Sequence, residues 1–554
     1  MPSRPRRQRR RNQFLPVVYS AGLLIIGAAL VDRLQRDGAP ATRDRVSAVA
    51  AMAVLQPVSA PAPLTTPDVA VAPEDRAISN IAAVGAIPAG DVGAAVEPST
   101  AVYAEDPVAV AADPNLLTED LDLIATSKMT WVYREPDRAS RKLGYLRTGA
   151  VVRRGATAIQ AKGCKQGWYR VEPEGYVCVG EQASLEVDQA LALATARRPE
   201  RAAALPYHYG RSRNPAPHFY SRVPTVDEQR QAEPSRDAYL KLQDAAAWRG
   251  LLGAMPEFLQ GGQPSLRHNG GRQSTLTVSD GQAVSKSGFA LLSLFESDGR
   301  SFGLTTDLAV VPLDRLERVQ ASEFHGLPLS ESVTLPVVFN RSKQAFLYEG
   351  DPKVAGLKLV RPLLDREALS ITGRQERVQG RVYLETKDGN WIVDQRLLRV
   401  DPLPSVPSWV RGAQDWIDVS IQDQTLVAYQ GSRPIFVTLV STGVDGLQDP
   451  QTTHSTVQGE FRIHTKHVTT TMDSDQVGDE YDLRDVPYVQ YFHEGYALHG
   501  VYWHDGFGSP RSHGCINLSP LDARWLFGWT SPTVPIKWHG ALSHHQGTVI
   551  SIHP

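Results

Sequence analysis

The sequence predicts a mainly β protein with a mixed α+β middle region and an N-terminal membrane segment. Three observations carry this. The stretch Trp416–Gly443 (WIDVSIQDQTLVAYQGSRPIFVTLVSTG) alternates apolar and polar residues, the period of a half-buried strand. Residues 121–187 are short Val-, Tyr- and Trp-bearing runs broken by Gly, Pro and charged turns. Phe14–Val31 is an 18-residue, mainly apolar run placed directly after six arginines between Arg4 and Arg11. Composition narrows the function classes: of 554 residues, 58 are basic and 60 acidic, a net charge of −2, which argues against a nucleic-acid partner. The 3 cysteines, Cys164, Cys178 and Cys515, are too few to staple a chain of this length, so each needs its own explanation.

Taken in order, residues 1–34 form a signal anchor or signal peptide. An 18-residue helix rises about 27 Å, enough to cross the hydrocarbon of a bilayer. The arginines keep the amino terminus on the cytoplasmic side. The apolar run ends at Asp32-Arg33 with no small-residue cleavage site, so an uncleaved anchor is expected. The rest of the chain is then placed in the cell envelope, outside the cytoplasmic membrane, in the periplasm. Residues 35–115, rich in Ala, Val, Pro and Thr and poor in aromatics, read as a disordered linker. The 121–187 unit carries both Cys164 and Cys178, and an oxidising compartment predicts a disulfide between them. Leu185–Ala204 has helical spacing interrupted by Pro199. Residues 207–405 mix strand and helix signals without a chemical motif, and close on Arg381–Val400, a hairpin with Asp388-Gly389 at its turn. The apolar–polar alternation of Trp416–Gly443 reads as two runs joined by Gly431-Ser432. Residues 540–554, with His544, His545 and His553, read as a solvated polar tail.

The chemistry gathers in YVQYFHEGYALHGVYWHDGFGSPRSHGCINLSP. Cys515 follows His513-Gly514, and a second His-Gly pair, His499-Gly500, lies upstream. A thiol attacks an acyl carbon as its thiolate, so it needs a base within reach. The N–H groups of Gly514 and Cys515 are candidates to receive the developing oxyanion. Zinc is the competing reading of His499, His504, His513 and Cys515. Their spacing fits no finger or metallopeptidase pattern, and a ligating Cys515 would lose its nucleophilic role, so neither metal nor cofactor is expected.

Residues 408–539 resemble the L,D-transpeptidase (YkuD-type) catalytic domain. The resemblance rests on His499, a twelve-residue spacer, then Ser512-His513-Gly514-Cys515-Ile516-Asn517. Ser441-Thr442-Gly443 and Thr456-Val457-Gln458-Gly459-Glu460-Phe461 add to it, with Val457 where the family usually has proline. The resemblance implies a β-sandwich catalytic domain, Cys515 as nucleophile and His499 as base, oriented through the carbonyl of Gly500. It implies that Ser512, His513 and Gly514 shape the oxyanion turn and that Asn517 holds the loop. Tyr491, Tyr502 and Trp503 are placed along a substrate groove, and Met472 in a lid. The implied substrates are peptidoglycan stem peptides, joined as 3→3 cross-links or to proteins. A thiol-dependent hydrolase on the same fold and a non-catalytic wall anchor are the alternatives. Residues 121–187 resemble a bacterial SH3-like β-barrel through Val132-Tyr133-Arg134, the turns at Gly144 and Gly149, and Gly167-Trp168-Tyr169. That likeness implies possible binding of the cell-wall polymer.

Overall fold

Strand Asp415–Ser420 pairs antiparallel with Thr425–Gln430, and that strand with Arg433–Leu439. The Trp416–Gly443 stretch therefore makes three strands rather than two runs. The first run folds back at Ile421–Gln424, where Gln424 takes a φ of +56°. Gly431-Ser432 is the second turn: Gly431 has a φ of +58°, and a Cβ there would lie 2.3 Å from Gly412 O. The computed structural model describes residues 121–187, 192, 199–242, 246–262, 278–354, 356–474, 481–543 and 545–554. The expected membrane segment 1–34, the linker 35–115 and most of the 185–204 helical run lie outside them. Two units divide the chain, 1–105 and 106–554, and every described residue belongs to the second.

The three strands form half of a six-stranded sheet that also contains Val549–His553 and Gly459–Arg462. Val549–His553 runs parallel to Asp415–Ser420, with Ile417 opposite Ile550 and Val419 opposite Ile552. Val549, Ile550 and Ile552 are buried. The segment 540–554 is thus no tail but an interior strand of the sheet, preceded by a short strand at Gly540–Leu542. His553 sits against Asp418, Nε2 to Oδ2 3.2 Å.

Facing this sheet are a long hairpin, Thr465–Ser474 with Tyr481–His493, and the strands Tyr496–Gly500 and Ile516–Leu518. Helix Pro520–Trp529 packs against both layers, with Trp525 stacked on Phe436 of the six-stranded sheet at 4.2 Å. Ser519 caps it by accepting from Asp522 N–H, and Pro520 supplies a preset φ at its first turn. Burying Ile417, Val419, Phe436, Leu498, Ile516, Leu526 and Ile550 between these layers supplies the main stabilising term.

Residues 121–187 fold as seven short strands, with Cys164 and Cys178 disulfide-bonded beside buried Trp168. Gly144, expected in a turn, lies instead inside strand Lys142–Leu146, which pairs with Gly540–Leu542. A Cβ at Gly144 would stand 2.2 Å from Gly540 O, so glycine is required by backbone contact. The middle region is two structures. Strands between His208 and Arg318 extend into the long hairpin through Gly288 and Leu483. Strands between Val337 and Val400 form a separate seven-stranded sheet, closed by a hairpin whose turn Gly389 has a φ of +78°.

Candidate active site

His499 stands on Tyr496–Gly500, 2% exposed, with Nδ1 3.2 Å from Gly500 O. A carbonyl only accepts, so the proton sits on Nδ1 and Nε2 is the lone-pair nitrogen. Burial pushes this imidazole down to about 4, so it is neutral at physiological pH. Glycine at 500 also suits the packing, since a Cβ would meet Ala523 Cβ at 3.1 Å and Pro487 Cγ at 3.2 Å.

Ile516–Leu518 runs parallel to Tyr496–Gly500, with His499 opposite Asn517. Cys515 precedes this strand, half-buried, and is the free thiol among the described residues. Burial pushes it up to about 11, opposed weakly by the backbone of Ala497. Its S–H points to Gly495 O at 3.7 Å rather than to the imidazole. The resting pair is therefore neutral thiol and neutral imidazole.

The loop before Cys515 is pinned from inside. Ser441 and Asn517 exchange two backbone bonds of 2.9 Å, and Thr442 O accepts from Arg511 N–H (2.9 Å) and Ser512 N–H (3.0 Å). Thr456 Oγ1 accepts from Gly443 N–H at 2.9 Å and donates to Gly514 O at 2.8 Å. A Cβ at Gly443 would lie 2.0 Å from His454 O, and Gly514 takes a φ of +117°. Ser512 Oγ donates to Cys515 O and accepts from Gly514 N–H at 3.1 Å. That last bond corrects the expected pair of oxyanion donors. Gly514 N–H is already engaged, which leaves Cys515 N–H. His513 is turned outward, its ring 5.5 Å from Tyr481 and 4.6 Å from His454.

The groove residues separate. Met472, Tyr491 and Trp503 share one apolar cluster with Cys515, and the Trp503 ring is 5.8 Å from His499. Tyr491 is pushed up to about 12, first by burial and then by the nearby sulfur. Tyr502 belongs to the same cluster but lies deep in it: it is 5% exposed, its Oη donates to Arg484 O (3.0 Å) and its ring packs on Tyr209 at 4.5 Å. It is a packing residue and lines no groove. Met472 lies within the hairpin opposite Leu483.

Sequence reasoning missed three features. Tyr496 neighbours Cys515 electrostatically, and its Oη donates to Pro450 O at 3.1 Å. His504, named in the sequence only within the zinc reading, accepts at Nδ1 from Gly506 N–H (3.2 Å). Its Nε2 lies 2.9 Å from the side-chain amide nitrogen of Asn517. The third is an outer clamp from the middle region on the spacer between His499 and Ser512. Arg211 donates to Trp503 O (3.2 Å), and Arg341 to Ser509 Oγ (2.8 Å). Arg366 grips Asp505 at Oδ1 (2.8 Å), Oδ2 (2.7 Å) and its carbonyl (2.9 Å), and Phe324 stacks on Phe507 at 5.6 Å. Among the described residues no group of three or more His, Cys, Asp or Glu is arranged to hold a metal ion.

A thiol, a carbonyl-oriented imidazole and a hydroxyl-pinned loop are groups that cysteine acyl transfer requires. Residues 414–544 match the YkuD family, described as the L,D-transpeptidase catalytic domain, and this part of the chain is such a domain. Solved structures similar to the chain include an Enterococcus faecium L,D-transpeptidase, 21% identical over 25% of this chain and 50% of that one, TM-score 0.20. The catalytic domain from the E. faecium L,D-transpeptidase is 22% identical over 26% of this chain and 98% of that one, TM-score 0.20. A Mycobacterium smegmatis L,D-transpeptidase is 22% identical over 36% and 89%, TM-score 0.21. The chain thus spans about half the length of the first of these. No curated protein matches it.

Proposed function

We propose that the protein is a peptidoglycan L,D-transpeptidase acting in the cell envelope through a cysteine thioester. The observation that carries this reading is the fixed tautomer of His499. With Nδ1–H committed to Gly500 O, Nε2 is the nitrogen available to a thiol on the neighbouring strand. The donor is a tetrapeptide stem. Sγ of Cys515 bonds to the carbonyl carbon of its third residue, and the C–N bond to D-Ala breaks. The thiol proton passes through His499 Nε2 to the departing amine. An amine of a neighbouring stem then attacks the thioester, the S–C bond breaks, and the amine's proton returns through His499 to sulfur. A 3→3 cross-link results. Because thiol and imidazole both start neutral, proton transfer accompanies attack rather than preceding it. The Cys164–Cys178 disulfide agrees with an oxidising compartment, and residues 1–34 would anchor the chain there.

The test incubates the full chain with purified tetrapeptide stems and reads products by mass. A dimer lighter by one alanine than two stems is expected. Tripeptide alone would make the protein a hydrolase with water as acceptor, and unchanged stems a wall-binding anchor. Cys515→Ala should abolish the thioester adduct, and normal cross-linking by that variant would end the mechanism.

A further inference from the structure

A cleft lined by none of the residues around Cys515 lies where the 121–187 unit, the middle region and the catalytic domain meet. Its cavity volume is about 70 Å³, and its wall includes Arg147, Thr148, Arg201, Tyr207, Lys537 and His539. That is room for an anionic head group, with the rest of a ligand lying outside the cleft.

Its charge is unbalanced. Arg147 is neutralised by Asp485, which also accepts from Thr469 Oγ1 at 2.6 Å. His539 is held neutral, its pKa pushed well down by burial. Among the described residues Arg201 has no carboxylate partner. It donates to the carbonyls of Val534 (2.9 Å), Pro535 (2.8 Å) and Trp538. Among the described residues Lys537 forms no ion pair. A further observation points to a missing ligand. Thr148 is 6% exposed, and its Oγ1 has no hydrogen-bond partner, a state that costs free energy unless something fills it. On the rim Ile536 is 85% exposed, an apolar side chain beside the cationic wall.

We propose that this cleft binds a small organic anion. A carboxylate or phosphate would be received by Lys537, Arg201 and the Thr148 hydroxyl, with an apolar body over Ile536. Arg201 and Lys537 supply the charge, and the cleft walls hold back water that would screen it. The site is separate from the acyl-transfer chemistry and is tested without it.

The experiment is calorimetric titration of the full chain with two probes, N-acetyl-leucine for a carboxylate source and phenyl phosphate for a phosphate source. Saturable binding of at least one is expected, weakening as salt rises. Lys537→Ala and Thr148→Val should each weaken it about tenfold, near 1.4 kcal/mol. Thr148→Val should leave thermal stability of the ligand-free protein unchanged or raised, because it removes an unsatisfied hydroxyl. Protein alkylated at Cys515 should bind the probe as well as untreated protein. Absence of binding by both probes at about 10 mM, weaker than any specific site worth the name, overturns the proposal. So does binding that both substitutions leave unchanged, or that alkylation abolishes.

Discussion

The loop that carries Cys515 is held on two sides by different physics. Inside, Ser441, Thr442 and Thr456 are at most 1% exposed and bind it through neutral backbone and hydroxyl bonds. Outside, three arginines of the middle region hold the spacer. The Arg366–Asp505 pair is 13% and 55% exposed, so water and salt reach it. A buried neutral bond is costly to break because its partner is stranded, whereas a partly exposed ion pair is screened and contributes little. The inner side should therefore set the geometry of the nucleophile, and the outer side should only trim it.

The largest effect tests how dry and uncharged the inner side is. None of the clamp's arginines is among the groups acting on the sulfur, whose opposing influence is the backbone of Ala497. A raised thiol pKa means less thiolate at neutral pH, so alkylation of Cys515 should accelerate about tenfold per pH unit until near 11. A rate plateau between pH 6 and 9, from a preformed thiolate–imidazolium pair, would contradict this.

Next comes Thr456→Val, which strands Gly443 N–H and Gly514 O together. Turnover should fall about a hundredfold, the scale of a small misplacement of reacting groups. Stability should drop by about 1–3 kcal/mol per stranded group, read by denaturant unfolding. Unchanged turnover would remove the inner pin from the account.

The smallest effect belongs to the clamp. Arg366→Ala should lower turnover by about tenfold or less, and high salt should mimic part of that loss in the unmodified protein. Combined with Thr456→Val, its free-energy effect should add to within about 0.5 kcal/mol. Strong coupling would show that the two sides act as one unit.

Much of the inner side was legible in local sequence. Ser441-Thr442-Gly443, Thr456 and Ser512–Asn517 stand in short motifs, and alternation marks the strands that present them. The outer clamp was not. Arg211 and Trp503 are 292 residues apart, Arg366 and Asp505 139, and no local pattern announces such contacts. The 540–554 segment was misread for a related reason. Its polar lead-in hides a five-residue strand whose burial depends on parallel pairing with a strand far back in the chain. Tyr502 was placed in the groove on residue type, whereas its burial turns it to Arg484 O and Tyr209.

By itself the sequence singled out the proposed reacting groups, one thiol outside the disulfide pair and a histidine followed by glycine, and the family that residues 414–544 match. Those follow from residue identity and short spacing, which folding does not alter. Only the tertiary structure decided that thiol and imidazole rest neutral, that Ser512 has claimed Gly514 N–H, and that the middle region grips the loop between base and nucleophile. Each of these depends on desolvation or on a partner brought from far along the chain, and both exist only once the layers have packed.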